Sequence, residues 1–300
     1  MTNVAILESR QSVLAGILLT SVAYLLFSSQ DAAIKLLVAE IAVWQILFFR
    51  SVTVLIGCGL IGGTTIFGQA ARSPIVKAML LRSFLTLIAW LCYYTAAKYL
   101  QLAELTTIYF AAPIIVTVLS VFLLGETVPP LRWAAVLLGF VGVFIACDPT
   151  RLGFSIPVLL VLTAAFFWGL AVVLLRKIAL QERTLIQLIL NNAFFLIIAG
   201  IPMLYFWQTP DPNALALLIG VGVLGGAAQF LLFEGMKRAA ASVIAPFEYT
   251  SLIWSFALGF VIWGDVPRSE VFIGAVFIVS AGLIIIANER FRRPENRTIT

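Results

Sequence analysis

Three hundred residues, 62% apolar and only 11% charged, exclude an ordinary soluble domain, in which about a quarter of residues carry charge. The net charge of +5 is not read as a nucleic-acid signal, because its placement follows a membrane-topology pattern. The chain has no histidine, so the commonest metal ligand and proton shuttle is missing, and neither a metal site nor a cofactor is expected.

A helix needs about 20 apolar residues to cross a hydrocarbon core of ~30 Å. Ten such spans are predicted, at 13–34, 42–63, 75–97, 101–124, 131–147, 155–176, 184–206, 213–236, 241–263 and 271–287. The expected fold class is therefore an all-α membrane protein with ten transmembrane helices. Nothing alternates with the period of two that barrel strands require. More spans, rather than a cleavage site, follow the first apolar run, so no separate signal peptide is expected. Cys58, Cys92 and Cys147 lie far apart inside apolar runs and read as small buried hydrophobes. With both termini placed in the cytoplasm, thirteen basic residues fall in inside loops and tails. Four (Lys35, Lys98, Arg151 and Arg268) fall outside, and Arg50 and Arg82 lie within spans. That bias puts both termini inside and gives the basic excess an anionic lipid surface to meet.

The first span ends in FSSQDAAIKLL. Asp31 and Lys35 are four residues apart on one helical face and able to pair, either as an interfacial salt bridge or as an outer gate. Arg50 sits about eight residues into the second span, a depth at which a charge is costly and faces protein or water. It either pairs with Asp31 structurally or anchors a substrate carboxylate. In the third span Trp90 and Tyr94 lie one turn apart and share a face. Aromatic bodies with a polar tip suit a site that grips and releases an amphipathic solute; the alternative is that both pack between helices or face lipid.

The fourth span carries Thr106, Tyr109 and Pro113, and Pro113 removes an i→i−4 bond and can open the helix. Gly139 and Gly142 in the fifth span, with Gly274 and Gly282 in the tenth, offer flat faces for close helix packing or for a weak homodimer. Trp168 is mid-span in the sixth, and Asn191 and Asn192 add polar atoms to the seventh. Gln229 in the eighth needs partners in hydrocarbon. In the ninth, Glu248 near Pro246, Tyr249 and Ser255 either snorkels, pairs with Lys237, or exchanges protons with solvent.

Spacing divides the chain into two copies. At an offset of 139 residues Lys98 falls on Lys237, Gly125 on Gly264, Glu126 on Asp265, Trp90 on Gln229 and Tyr94 on Phe233. Upstream, at an offset of 142, Lys35 falls on Lys177, Gln45 on Gln187 and Arg50 on Asn192. Identities between the copies are at chance level, so the spacing carries the inference. Residues 1–150 and 151–300 are each expected to hold five spans. An odd number makes the copies enter the membrane from opposite sides, the inverted repeat that transporters use to expose one midplane site alternately. No G-x-x-x-x-G-K-[ST] loop is present, so ATP-driven transport by this chain is not expected.

Two five-span halves, LLGE and IWGD closing the fourth and ninth spans, QDAAIKLL followed by WQILFFR, and APFEYTSLIW at 245–254 resemble the EamA branch of the drug/metabolite transporter superfamily. The resemblance covers essentially the whole chain. It implies a bacterial inner-membrane carrier with spans 1–4 and 6–9 around a cavity and spans 5 and 10 as support. It also implies metabolite export, including that of YddG-like exporters of aromatic and apolar amino acids. The expected function is export of small amphipathic metabolites, first of all amino acids, by alternating access at a site lined by Trp90, Tyr94, Tyr109, Trp168, Gln229 and Glu248, with Asp31, Lys35, Arg50 and Pro113 in structural or gating roles. Its partners are the small-molecule substrate and the lipid bilayer, with the protein a monomer or a weak homodimer through spans 5 and 10. A carrier of drugs or other metabolites is the alternative. A lipid scramblase or an intramembrane enzyme ranks lower, the latter for want of acid–base equipment.

Overall fold

The computed structural model describes the backbone of residues 2–124, 130–147, 155–178, 182–238 and 247–291, and most of their side chains between Leu14 and Ile284. Among these residues the chain is helical, with no strand: α1 (Thr2–Leu37), α2 (Val43–Gly62), α3 (Thr65–Ala71), α4 (Val76–Ala97), α5 (Leu102–Tyr109), α6 (Ala111–Leu124), α7 (Pro130–Cys147), α8 (Ile156–Ile178), α9 (Thr184–Tyr205), α10 (Pro212–Arg238), α11 (Thr250–Trp263) and α12 (Ser269–Phe291). Six of them, α1, α2, α4, α8, α9 and α10, hold segments long and apolar enough to cross a membrane. Shorter apolar helical stretches lie at Leu102–Val116, Trp133–Ala146, Thr250–Trp263 and Ser269–Ile284.

Local chemistry explains the ends. Proline opens α7 and α10, the position where its missing N–H costs nothing and its fixed φ suits the helix. At α10 the Asp211 carboxylate accepts from the Ala214 N–H at 2.6 Å, the N-cap geometry. Within spans, hydroxyls that would otherwise lie bare in hydrocarbon donate to the carbonyl four residues back, as in Ser51 to Leu47 (2.8 Å), Thr86 to Arg82 (2.8 Å) and Thr107 to Ala103 (2.7 Å). The link between the second and third predicted spans contains the short helix α3, whose Ile66 and Ala70 are buried.

The fourth predicted span is two helices, broken at Phe110. Pro113 has no N–H to give the Tyr109 carbonyl, and its ring crowds that carbonyl. The chain therefore turns three residues earlier, with the Phe110 N–H shared between the Thr106 and Thr107 carbonyls at 3.2 Å each. Tyr249 occupies a similar turn just before α11, where the hydroxyls of Thr250 and Ser251 donate to the carbonyls of Phe247 (2.6 Å) and Glu248 (2.8 Å).

Packing pairs helices that are distant in sequence. α1 lies on α10 and α11, α4 on α8 and α9, α2 on α9 and α10, α6 on α8, α5 on α11, and α7 on α12. The glycines of α7 and α12 are used in that last contact. A Cβ on Gly142 would come within 2.7 Å of the Gly274 carbonyl, and one on Gly274 within 2.8 Å of the Ala146 Cβ. A Cβ on Gly282 would fall on the Tyr249 ring. These flat faces, read from sequence as suited to close helix packing or to a weak homodimer, pack against each other within the chain. The outer surfaces stay apolar, with Leu60, Ile61, Ile201, Leu204 and Val261 each more than 70% exposed, as lipid-facing positions require.

Candidate functional site

Arg50 is the organising charge. It is fully buried on α2, with its guanidinium 3.9 Å from the centroid of the Trp90 ring, a cation–π contact. Its Nε donates to Gln30 Oε1 and its Nη1 to Asn192 Oδ1, both at 3.4 Å. Gln30 in turn donates to the Tyr94 hydroxyl at 3.4 Å. A Cβ on Gly225 of α10 would overlap the Gln30 amide and come within 2.9 Å of Arg50 Nε, so a glycine is what lets α10 close over this network. Arg50 and Asp31 make no direct ion pair: the Asp31 carboxylate accepts from the Tyr93 hydroxyl at 3.2 Å, while Arg50 bonds Gln30, the residue that precedes Asp31 on α1.

Four aromatic rings run on from Arg50. Trp90 stacks on Tyr94 (6.1 Å between centroids), Tyr94 meets Tyr93 (6.2 Å) and Tyr93 meets Tyr109 edge-on (4.9 Å). Phe195 of α9 closes edge-on against Trp90 at 5.0 Å. Of the residues singled out from sequence, the structure brings Trp90, Tyr94 and Tyr109 into this one row. Glu248 is half-buried just before α11. Trp168 packs against a cluster of Phe110, Ala165 and Leu252 that Tyr109 also borders. Gln229 lies one turn beyond Gly225 on α10, 7% exposed, and its Oε1 has no hydrogen-bond partner among the described residues. Tyr93 and Gln30 were missed in the sequence. The spacing of Tyr93 from Trp90, three residues on one helical face, was the available signal.

A cavity of about 260 Å³ meets the row at Tyr94, toward the end of α4, and is lined by Val38–Val43, Tyr94, Thr95, Lys98, Tyr99 and Gln208. Gln45 holds its rim in place: Nε2 donates to the Gln208 carbonyl (2.8 Å) while Oε1 accepts from the Gln208 N–H (3.0 Å). At this same end Lys35 does not pair with Asp31 as its spacing suggested. Its Nζ donates to the carbonyls of Leu100 (2.6 Å) and Ala97 (3.4 Å) and lies 5.3 Å from the centroid of the Trp263 ring. Arg268 beside it bonds Glu104 Oε1 at 3.1 Å, while Glu104 Oε2 accepts from the Gln101 N–H that starts α5. Lys35, Glu104 and Arg268 thus tie the end of α1 and the α4–α5 link to the close of α11 and the start of α12. Of the paired landmarks, Gly125, Glu126 and Pro246, and the side chains of Lys177 and Lys237, lie outside the described residues.

The comparisons with known proteins bear on this arrangement. The model of the EamA-like transporter family matches twice, over residues 14–147 and 155–287. The chain is similar to an S-adenosylmethionine uptake transporter of Rickettsia felis, 26% identical over 88% of this chain and 89% of that one. It is likewise similar to a riboflavin transporter of Vibrio cholerae (30%, covering 77% and 78%) and to a pseudopaline exporter of Pseudomonas aeruginosa (25%, covering 89% and 94%). A crystal structure with a TM-score of 0.66 and 21% identity, covering 96% of this chain and 99% of the other, shares the fold. With the family model matched over both halves, the chain belongs to the EamA-like transporter family: it is a multi-pass membrane protein that transports small metabolites.

Proposed function

We propose that the protein is a bacterial inner-membrane secondary carrier of small amphipathic metabolites, with ten spans in two inverted five-span halves and both termini in the cytoplasm. The observation that carries this reading is the aromatic row from Trp90 to Tyr109 laid against the buried Arg50 guanidinium. An apolar surface beside a fixed cation suits a solute with an apolar body and a charged head, and amino acids are the first class to test. Trp90, Tyr94 and Tyr109 would hold the apolar part, with Gln229 orienting the head. Glu248 and Trp168 would line the side toward α11 and α8. Export is the direction the family resemblance implies. The relatives include one named for uptake and one named for export.

Packing supports the inverted halves. If α1, α2, α4, α5–α6 and α7 are spans 1–5, and α8 to α12 are spans 6–10, the contacts come in matched pairs. Span 1 on span 8 mirrors span 6 on span 3, and span 1 on span 9 mirrors span 6 on span 4. Spans 2 and 7, 4 and 9, and 5 and 10 meet their own counterparts, as elements beside a two-fold axis must. Alternating access is then a rocking of the two halves about the row.

Counterflow into proteoliposomes, screened over amino acids, S-adenosylmethionine, riboflavin and cationic drugs, tests the reading. Saturable uptake of at least one solute, accelerated by the same solute preloaded inside, is expected. Flux that neither saturates nor responds to preloading points to a pore or scramblase and overturns it.

A further inference from the structure

Two charged side chains where α4 closes belong to none of the contacts above. Glu40 sits on the α1–α2 link and Lys98 just past the end of α4, and both line the cavity of about 260 Å³. Both are exposed, and neither side chain has a hydrogen-bond or ion-pair partner among the described residues. They therefore stand farther apart than the 4.0 Å of an ion pair. The other charges at this end are committed, Lys35 to the carbonyls of Ala97 and Leu100, and Glu104 to Arg268. One carboxylate and one ammonium thus share a recess without pairing.

Exposed charges are well solvated, so their freedom alone would mean little. The walls that carry them give it meaning. The N–H groups of Glu40 and Ile41 both bond the Leu37 carbonyl, at 3.0 and 2.7 Å, and Val38 and Ile41 on either side are buried. Beside Lys98, the N–H groups of Tyr99 and Leu100 bond the Ala96 carbonyl at 2.9 and 3.2 Å. Gln208 is pinned through both its backbone groups by buried Gln45. The recess is therefore formed in advance by backbone bonds, as small-molecule sites usually are.

Its inner wall is aromatic. Tyr94, 2% exposed, stacks on Trp90, and its hydroxyl accepts from Gln30, which in turn accepts from Arg50. An apolar cavity of about 150 Å³ holds a benzene ring, so this one has room for a ring and a short polar head. A solute with an ammonium, a carboxylate and an apolar body complements all three features. A solute with one charge would pair with one side chain and be repelled by the other.

We propose that this cavity is a second binding site of the carrier, a waiting site for zwitterions, with Lys98 on the carboxylate, Glu40 on the ammonium and Tyr94 beside the apolar part. The proposal rests on the carrier reading and narrows its substrates to α-amino acids and solutes built like them.

Protection of a cysteine in the cavity wall tests it. Thr95→Cys, in the full-length protein with Cys58, Cys92 and Cys147 replaced by alanine, would be labelled with a maleimide in proteoliposomes. L-Phenylalanine, phenethylamine and 3-phenylpropanoate would be titrated against the labelling rate at equal ionic strength. Phenylalanine should slow labelling saturably, and the two singly charged analogues should need about tenfold more. Glu40→Gln and Lys98→Gln should each raise the phenylalanine midpoint about threefold, the scale of losing one exposed ion pair. Glu40→Gln should at the same time lower the 3-phenylpropanoate midpoint, and Lys98→Gln that of phenethylamine, because each removes a repulsion. A merely structural role for either residue would not produce that crossed response. A cysteine that does not label, protection equal for all three compounds, or a phenylalanine midpoint unchanged in either charge variant overturns the site. Saturable phenylalanine counterflow with the same half-saturation in both charge variants would sink the site and leave the carrier standing. Charge-dependent protection with no counterflow of any solute would do the reverse.

Discussion

Phe110 stacks on Tyr249 with ring centroids 5.3 Å apart and planes at 21°, and the two residues are 139 positions apart. That separation is the offset at which the two halves of the sequence align. Arg50 and Asn192, aligned at 142, are likewise joined by a hydrogen bond. Counterpart residues touch each other only beside a symmetry axis. These contacts therefore mark where the proposed two-fold axis passes, between α5 and α11 at one level and between α2 and α9 at another.

The glycine contact between α7 and α12 should tolerate no side chain. Gly142→Leu sets carbon atoms against the Gly274 carbonyl and Phe277, and overpacking of this kind costs about 1–3 kcal/mol. A melting temperature several degrees below that of Gly57→Ala is expected, since a Cβ at Gly57 meets nothing within 4 Å. Equal melting of the two variants would mean that α7 and α12 are not in this close contact.

The tie at the Lys98 end should behave as a gate. Lys35→Met keeps the apolar stem over Trp263 but loses both hydrogen bonds to the α4–α5 link. Glu104→Gln weakens the pair with Arg268. Glu104→Gln and Arg268→Gln should be non-additive by roughly 0.5–3 kcal/mol in a double-mutant cycle on stability. Lys35→Met should speed thiol labelling of a cysteine placed at Thr95, which lines the adjoining cavity. Unchanged labelling would remove Lys35 from any gating role.

Trp90 and Gln229 should fail differently. Trp90→Ala removes the ring shared by Arg50, Tyr94 and Phe195 and should weaken substrate binding by about 1–3 kcal/mol, the scale of burying one large side chain. Gln229→Ala should alter selectivity for the polar head, because a hydrogen-bonding site rejects analogues that leave its groups unpaired. Trp133, 37% exposed near the start of α7, is the control. Vesicle transport with matched protein amounts decides it. Unchanged half-saturation and selectivity in both site variants, with loss in Trp133→Ala, would put the cavity on another face of α4 and α10.

Helix positions were legible because each depends on an apolar run and its local punctuation. Pro113 even announced the break in the fourth span, although the turn itself falls at Phe110, next to the Tyr109 carbonyl that the proline leaves free. The partners of charged groups were not legible. The four-residue spacing of Asp31 and Lys35 suggested a pair, but Lys35 finds carbonyls at Ala97 and Leu100, more than sixty residues away. Those acceptors exist because the α4–α5 link leaves helix-end carbonyls unsatisfied, a fact of packing rather than of spacing. Arg82 was placed within a span, but its burial against other elements could not be read from neighbours along the chain. Nor could the pairing of Gln45 with the Gln208 backbone, which needs α2 and the α9–α10 link side by side.

The inverted arrangement is tested most directly at Lys98 and Lys237, counterparts at the end of α4 and the end of α10. Lys98→Cys and Lys237→Cys, each in a protein lacking its native cysteines, would be labelled in intact cells with a membrane-impermeant maleimide. The account predicts labelling of the Lys98 position from outside, and of the Lys237 position only after the inner face is exposed. Labelling of both positions from the same side would contradict it.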